Sequence, residues 1–365
     1  MEPNLPRLRS LANKTFTEIL TDGFKLFIQS YKTIILPLAL FQVILIILDI
    51  FLLTDIRWQI DSFGINFASL MERFVEGTSL TENEWNTLTY FLLLNITLLY
   101  LQNLIGAILI TIAMCSVSNY VFKKYMNEDV RFIESFKSAF NKKMFLVILL
   151  IGICLPFSSL LLFFPVIIIF GFYIFLVFTY NINDNNANPI TEARAIAKGG
   201  FWKIIGVFVI NVIFIFVISF MFNSLLDFIL NTTSTSFNAS VASWYNPTTR
   251  NYGMLILYQI LFSIVEIIFA PLFICLLTVL FSSLKARKDL KYQFQQGYSP
   301  VRDYYQESYQ YPKEESYEVI ETEKSTSLPE IKIDGRFYCP FCGTFIQIPK
   351  KFCPKCGEHL NFINK

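Results

Sequence analysis

Between Met144 and Ile182 the chain runs for 39 residues without a charged side chain, and between Leu88 and Val121 for 34. A bilayer core is crossed by roughly 20 apolar residues in a helix. Only helices or closed barrels satisfy their backbone groups there. Three further tracts of span length are Ile34–Leu53, Phe201–Leu230 and Gly253–Leu284. As one helix, 144–182 would be nearly twice as long as the bilayer core is thick, about 58 Å against about 30 Å. Pro156 and Pro165 sit near its middle. Two spans joined by a tight apolar turn close to Phe164–Pro165 are therefore expected. The expected fold is an all-α polytopic membrane protein with about six transmembrane helices, with residues 33–285 as the membrane domain.

Charge patterning sets the threading. The segments 1–32, 123–143, 183–203 and 285–291 together hold 18 Lys and Arg, whereas 54–87 and 231–252 hold 3. Basic residues accumulate in cytoplasmic loops, so both termini are expected in the cytoplasm of a cell-membrane protein. Residues 1–32 contain no short apolar core followed by small residues, so the first tract is read as a retained span. The mixed segment from Asp55 to Trp85 places Phe63, Phe67, Leu70, Met71 and Phe74 at helical spacing. That pattern fits an amphipathic helix on the outer surface.

Three stretches resemble one another: Phe16–Lys25, Phe132–Asn141 and Ile190–Gly199. Each has an apolar residue, a Glu two positions later (Glu18, Glu134, Glu192) and then an amphipathic pattern. Each is expected to be a cytoplasmic interfacial helix leading into a span. An acid this close to a helix start stabilises the N-terminal dipole, which accounts for the shared Glu without a binding site. The order of interfacial helix and span, with Ile190–Arg194 followed by Lys198, Phe201–Trp202, Lys203 and Gly206, resembles the membrane domain fused to some glycerophosphodiester phosphodiesterases, which also occurs alone. The resemblance covers residues of about 10–285. It implies fold and topology, and it carries over no catalytic residue.

Seven cysteines occur, and four form two knuckles: Cys339-Pro340-Phe341-Cys342-Gly343 and Cys353-Pro354-Lys355-Cys356-Gly357. Four thiolates at this spacing can close a tetrahedron around one metal ion; iron in a rubredoxin-like site is the rival, and the short spacing favours one structural zinc ion. The segment resembles a short zinc ribbon, a small β module at 331–365. So short a segment cannot bury a sufficient core, and the metal supplies its folding energy. A closed four-thiolate site leaves no coordination position for chemistry or for His359, the one histidine. Residues 286–330 read as a linker, of which 292–330 carries 3 basic against 8 acidic residues and many tyrosines. Such a composition is expected to be disordered. The ribbon has 6 basic and 2 acidic residues, and a protein partner is expected over nucleic acid. The bias toward Ile, Asn, Lys and Phe fits an AT-rich, prokaryotic genome.

No Gly-x-Ser-x-Gly, phosphate-binding loop or dinucleotide fingerprint is present, and no histidine lies in the apolar tracts. A non-enzymatic role follows as the expectation. The first reading is a membrane scaffold or adaptor whose cytoplasmic ribbon docks a cytosolic protein. The alternative is a transporter or channel for a small or lipid-like solute. It rests on Glu266, which lies within the sixth tract, since an ionisable group at the bilayer centre costs at least about 2.5 kcal/mol unpaired. A structural role for Glu266 requires partners, and Asn95, Gln102, Asn103 and Asn211 are the candidates. Asp49 and Asp227 lie nearer the outer ends of their tracts.

Overall fold

A computed structural model describes residues 5–75, 81–160, 163–181, 188–233, 237–297, 337–338 and 345–346. Among these the chain is helical, apart from one two-stranded pairing. The short helix α1 spans Leu5–Ala12, and α2 follows as one helix of 60 residues, Phe16–Val75. Its length is about 90 Å. Three separate elements were expected here: an interfacial helix, a span and an outer amphipathic helix. They form one rod because no strong breaker separates them. Pro37 is the one proline inside α2, and it is accommodated without ending the helix.

Helix α3 (Glu82–Tyr125) is opened by a capping box, in which the Thr81 amide donates to Glu84 Oε2 at 2.8 Å. It closes with Lys123 and Lys124 in its last turn and Asn127 at φ 55°. Lys124 Nζ donates to the Gln29 carbonyl at 2.8 Å, which ties the end of α3 to α2.

Helix α4 (Phe132–Ala139) turns by 69° into the next apolar segment. That segment consists of α5 (Met144–Val147), a π-helical stretch (Ile148–Cys154) and α6 (Leu155–Leu160). Then come α7 (Phe163–Tyr173) and α8 (Leu176–Thr179). Phe164 and Pro165, where the turn was expected, lie inside α7, and residues 161–162 are outside the described ones. Pro165 falls in the first turn of α7, where a missing amide costs little, whereas Pro156 directly follows the π-helical stretch within a continuous helix. The two limbs are shorter than full spans.

Helix α9 (Pro189–Lys198) has Asn188 as its cap and Pro189 at its first position. It leads through Gly199–Gly200 into α10 (Phe201–Thr233). Helices α11 (Phe237–Tyr245) and α12 (Tyr252–Phe262) precede α13 (Ile264–Gly297). The expected sixth span is therefore interrupted at Ser263 and prolonged to Gly297, into the segment read as linker. By length and composition four helices can cross a membrane: 16–63, 82–125, 201–232 and 264–292; the bent 132–159 pair makes up to five. These helices are those of a membrane protein.

The chain divides into two compact units, one of Phe16–Ser282 and one of residues 1–15 with 283–365. In the smaller unit, Arg287 Nε donates to the Ala12 carbonyl at 2.6 Å, and Leu8, Leu11, Ala12, Leu284, Ala286 and Leu290 are buried. The larger unit is centred on α13. The most apolar window of that helix is 61% buried, against 17–33% for the other three long helices. Phe281 is fully buried and meets Phe122, Phe175 and Phe178 at ring centroid distances of 4.7–5.4 Å. Without a hydrophobic drive between membrane helices, such contact packing holds them together. Fully buried Tyr180 adds hydrogen bonds, its hydroxyl donating to the carbonyls of Cys115 and Ala139 at 3.2 Å each.

The threefold repeat is visible in the packing. Glu18, Glu134 and Glu192 each occupy a helix first turn. One residue further, Ile19, Ser135 and Ala193 are buried, and four residues beyond those Gly23, Ala139 and Ala197 are buried. The last position must be small. A Cβ on Gly23 would lie 2.5 Å from Leu276 Cδ2 and 3.1 Å from Leu276 Cα.

Candidate functional site

In the larger unit α2, α3, α10 and α13 enclose a cavity of about 150 Å³. Helical periodicity selects its lining. Leu38, Phe41, Gln42 and Leu45 form one stripe of α2; Leu109, Ile110, Ala113 and Met114 line it from α3; Glu266, Phe269, Ala270, Phe273 and Ile274 come from α13; and Ile215 comes from α10. Leu38, Ala113, Met114 and Ile274 are buried, whereas Ile110 and Glu266 are exposed. The cavity therefore opens to the protein surface at Ile110 and Glu266. Gln42 and Glu266 are its two polar side chains, and no Lys or Arg lines it.

The break at Ser263 starts α13 so that Glu266 falls in its first turn, where the helix dipole favours a carboxylate. Among the described residues Glu266 makes no hydrogen bond or ion pair. The expected structural partners are otherwise disposed. Asn95 Nδ2 donates to the carbonyl of Phe91 within its own helix at 2.8 Å. Gln102 and Asn103 are exposed, and Asn211 Oδ1 is buried without a partner. The reading in which one of these four bonds to Glu266 is corrected: among the described residues none of them hydrogen-bonds to it.

Asp49 has a partner of its own. Arg57 Nη2 lies 2.6 Å from Asp49 Oδ2, two turns further along α2. Arg250 pairs with Asp55 at 2.6 Å and donates to the Tyr252 hydroxyl at 3.2 Å and the Tyr245 carbonyl at 3.3 Å. Tyr252 in turn stacks on Phe51 at 4.8 Å. These contacts clamp the 245–252 connection onto α2, and buried Ile46, Ile50 and Leu255 lie beneath.

Sequence reasoning passed over a polar ridge on α10. Asn211, Ser219 and Asn223 carry buried side-chain oxygens without partners, and Ile215, at the same four-residue interval, lines the cavity. The interval was readable as an i, i+4 ridge; its burial was not. Gln42 was also missed, since a neutral amide in an apolar tract is an ordinary interhelical residue. Cys339, Cys342, Cys353 and Cys356 lie outside the described residues, and no metal-ligating cluster occurs among the described ones. Phe337–Tyr338 (β1) pairs antiparallel with Phe345–Ile346 (β2) in the register Phe337 to Ile346 and Tyr338 to Phe345.

Fold and cavity together define a class: a largely helical protein with helices of membrane-crossing length and a surface-opening apolar cavity that holds one carboxylate. The chain matches no protein-family model, no curated protein and no solved structure.

Proposed function

We propose that this chain is a non-enzymatic multi-pass membrane protein that takes a small or lipid-like solute into the cavity at Glu266, as a transporter or channel does. The observation that carries the reading is the unpartnered Glu266 carboxylate at the mouth of an apolar cavity. A carboxylate with no protein partner in an apolar setting is costly, and such residues mark substrate paths. In the finer picture the apolar segments thread six times, with both termini cytoplasmic at the cell membrane. That picture rests on the Lys and Arg count and on the two prolines within the 144–182 tract.

A second reading concerns the tail. Strands β1 and β2 pair on either side of the first Cys-Pro-x-Cys-Gly stretch in the sequence, whose spacing is that of a zinc knuckle. Cys339, Cys342, Cys353 and Cys356 would hold one structural zinc, and the ribbon would dock a cytosolic protein, which makes the chain also a scaffold or adaptor.

Filling the cavity tests the first reading. The full-length chain is purified from its native membrane in mild detergent, and bound small molecules are identified by native mass spectrometry. Wild type is expected to retain an amphiphile that Ala270→Phe loses. The same bound species in both, or none in wild type, refutes it.

A further inference from the structure

We infer that the ligand of this cavity is an organic cation, a substituted ammonium head carrying an apolar tail. The inference rests on the cavity reading above and adds the chemical class. Four classes of ligand can be weighed against the lining. An anion would lie beside the Glu266 carboxylate with no lysine or arginine to offset the repulsion. An inorganic cation such as calcium needs about six oxygen ligands, and magnesium a near-ideal octahedron. The side chains of Glu266 and Gln42 provide only three oxygens between them, and the rest of the lining is hydrocarbon. A neutral apolar molecule would fill the space but would leave the carboxylate without a counter-charge.

A substituted ammonium meets every requirement. Its charge neutralises Glu266, and its alkyl shell needs no oxygen cage. Its substituents pack against Leu38, Met114 and the phenylalanines. Phe41, Phe269 and Phe273 all line the cavity. Aromatic faces attract quaternary ammonium groups through the ring quadrupole. Two of these rings are held in place by neighbours. Phe269 packs against Phe27 at 6.1 Å and Phe214 at 5.3 Å, and Phe273 against Phe170 at 6.4 Å and Phe208 at 6.1 Å. The size agrees, since a dry apolar cavity of about 150 Å³ accepts a benzene-sized group. A trimethylammonium head is of that order. The exposed Ile110 beside the mouth provides an apolar exit for a tail.

The experiment compares a cation with its neutral isostere. Phenyltrimethylammonium and tert-butylbenzene have nearly the same shape and differ in charge. Binding of each to the full-length chain in dodecyl maltoside is measured by titration calorimetry. The cation is expected to bind at least about tenfold more tightly than the isostere. In Glu266→Gln that preference is expected to vanish with isostere affinity unchanged. Glu266→Asp, which keeps the charge, is expected to keep most of it. Phe269→Leu and Phe273→Leu are expected to weaken the cation about threefold to tenfold and leave the isostere alone. Size-exclusion profiles and helical circular dichroism equal to wild type establish that each variant is folded. Equal affinities for the two probes in wild type overturn the inference while leaving the cavity reading intact. An unchanged cation preference in Glu266→Gln, or competition by equimolar sodium or calcium, also overturns it. Binding of neither probe overturns it too, and the cavity reading is then decided by the bound species in wild type and Ala270→Phe.

Discussion

Replacing Gly23 by Ala should destabilise the membrane domain, although Ala is the better helix former. In α2 the exchange gains about 1 kcal/mol of helix propensity. Against it stands the packing on α13. The new Cβ would lie 2.5 Å from Leu276 Cδ2 and 3.1 Å from Leu276 Cα. Leu276 is fully buried, so its side chain has nowhere to turn, and its backbone yields only if one helix shifts against the other. Overpacking of this kind costs about 1–3 kcal/mol. The net expectation is a loss of up to about 2 kcal/mol. Gly106 in α3 is the internal control, because a Cβ there meets nothing within 4 Å. Gly106→Ala should therefore stabilise by up to about 1 kcal/mol. Thermal unfolding of both variants in the same mild detergent, followed by helical circular dichroism, reads the two signs. In addition, Leu276→Ala should partly rescue Gly23→Ala, with a coupling of about 0.5–3 kcal/mol. A rise in melting temperature for Gly23→Ala comparable to that of Gly106→Ala would show that α2 and α13 do not approach this closely.

Tyr180→Phe removes the hydroxyl shared by the Cys115 and Ala139 carbonyls and should cost about 0.5–1.5 kcal/mol in the same unfolding assay, because each carbonyl keeps another donor, Ser118 Oγ and the Asn141 amide. Arg250→Ala should raise the rate of proteolysis within the 245–252 connection in detergent-solubilised protein, since the Asp55, Tyr252 and Tyr245 contacts go together; an unchanged cleavage rate would count against the clamp. Zinc measured by mass spectrometry on the purified full-length chain should be about one ion per chain, and Cys339→Ser should reduce it to background while leaving the thermal transition of the helices in place. Arg57→Ala should destabilise by about 3–5 kcal/mol, because it leaves Asp49 buried without a counter-charge, and Asp49→Asn in the same chain should restore most of that loss.

Helix positions were legible because charge is absent from the tracts. The break at Ser263 was not, since Leu261-Phe262-Ser263-Ile264 contains neither proline nor glycine. The continuity of α2 was hidden for the opposite reason. Its charges at Lys25, Lys32, Asp55 and Arg57 suggested ends of separate elements, but a helix of about 90 Å carries charged residues beyond both sides of a bilayer without interruption. The repeat was legible through its glutamates, yet these were the exposed or half-exposed members. The residues that matter for packing are Gly23, Ala139 and Ala197, which are small and distinguished by what presses on them. The lone carboxylate of Glu266 was legible, but the cavity was not: it arises where four helices from distant parts of the chain meet.

The treatment of its acids separates structure from function in this fold. Asp49 is paired with Arg57 and Asp55 with Arg250, each at 2.6 Å, so these arginines meet acids of the protein itself. Such pairs offset the desolvation penalty of a charge near an apolar core. Glu266 faces the same penalty with no cation lining its cavity and no hydrogen bond among the described residues. A glutamine there would have avoided the charge at almost the same volume, as Gln42 across the cavity illustrates. Retaining a carboxylate at the mouth, in a helix first turn, gives the site a property that packing alone does not require: it bears on the charge of whatever enters.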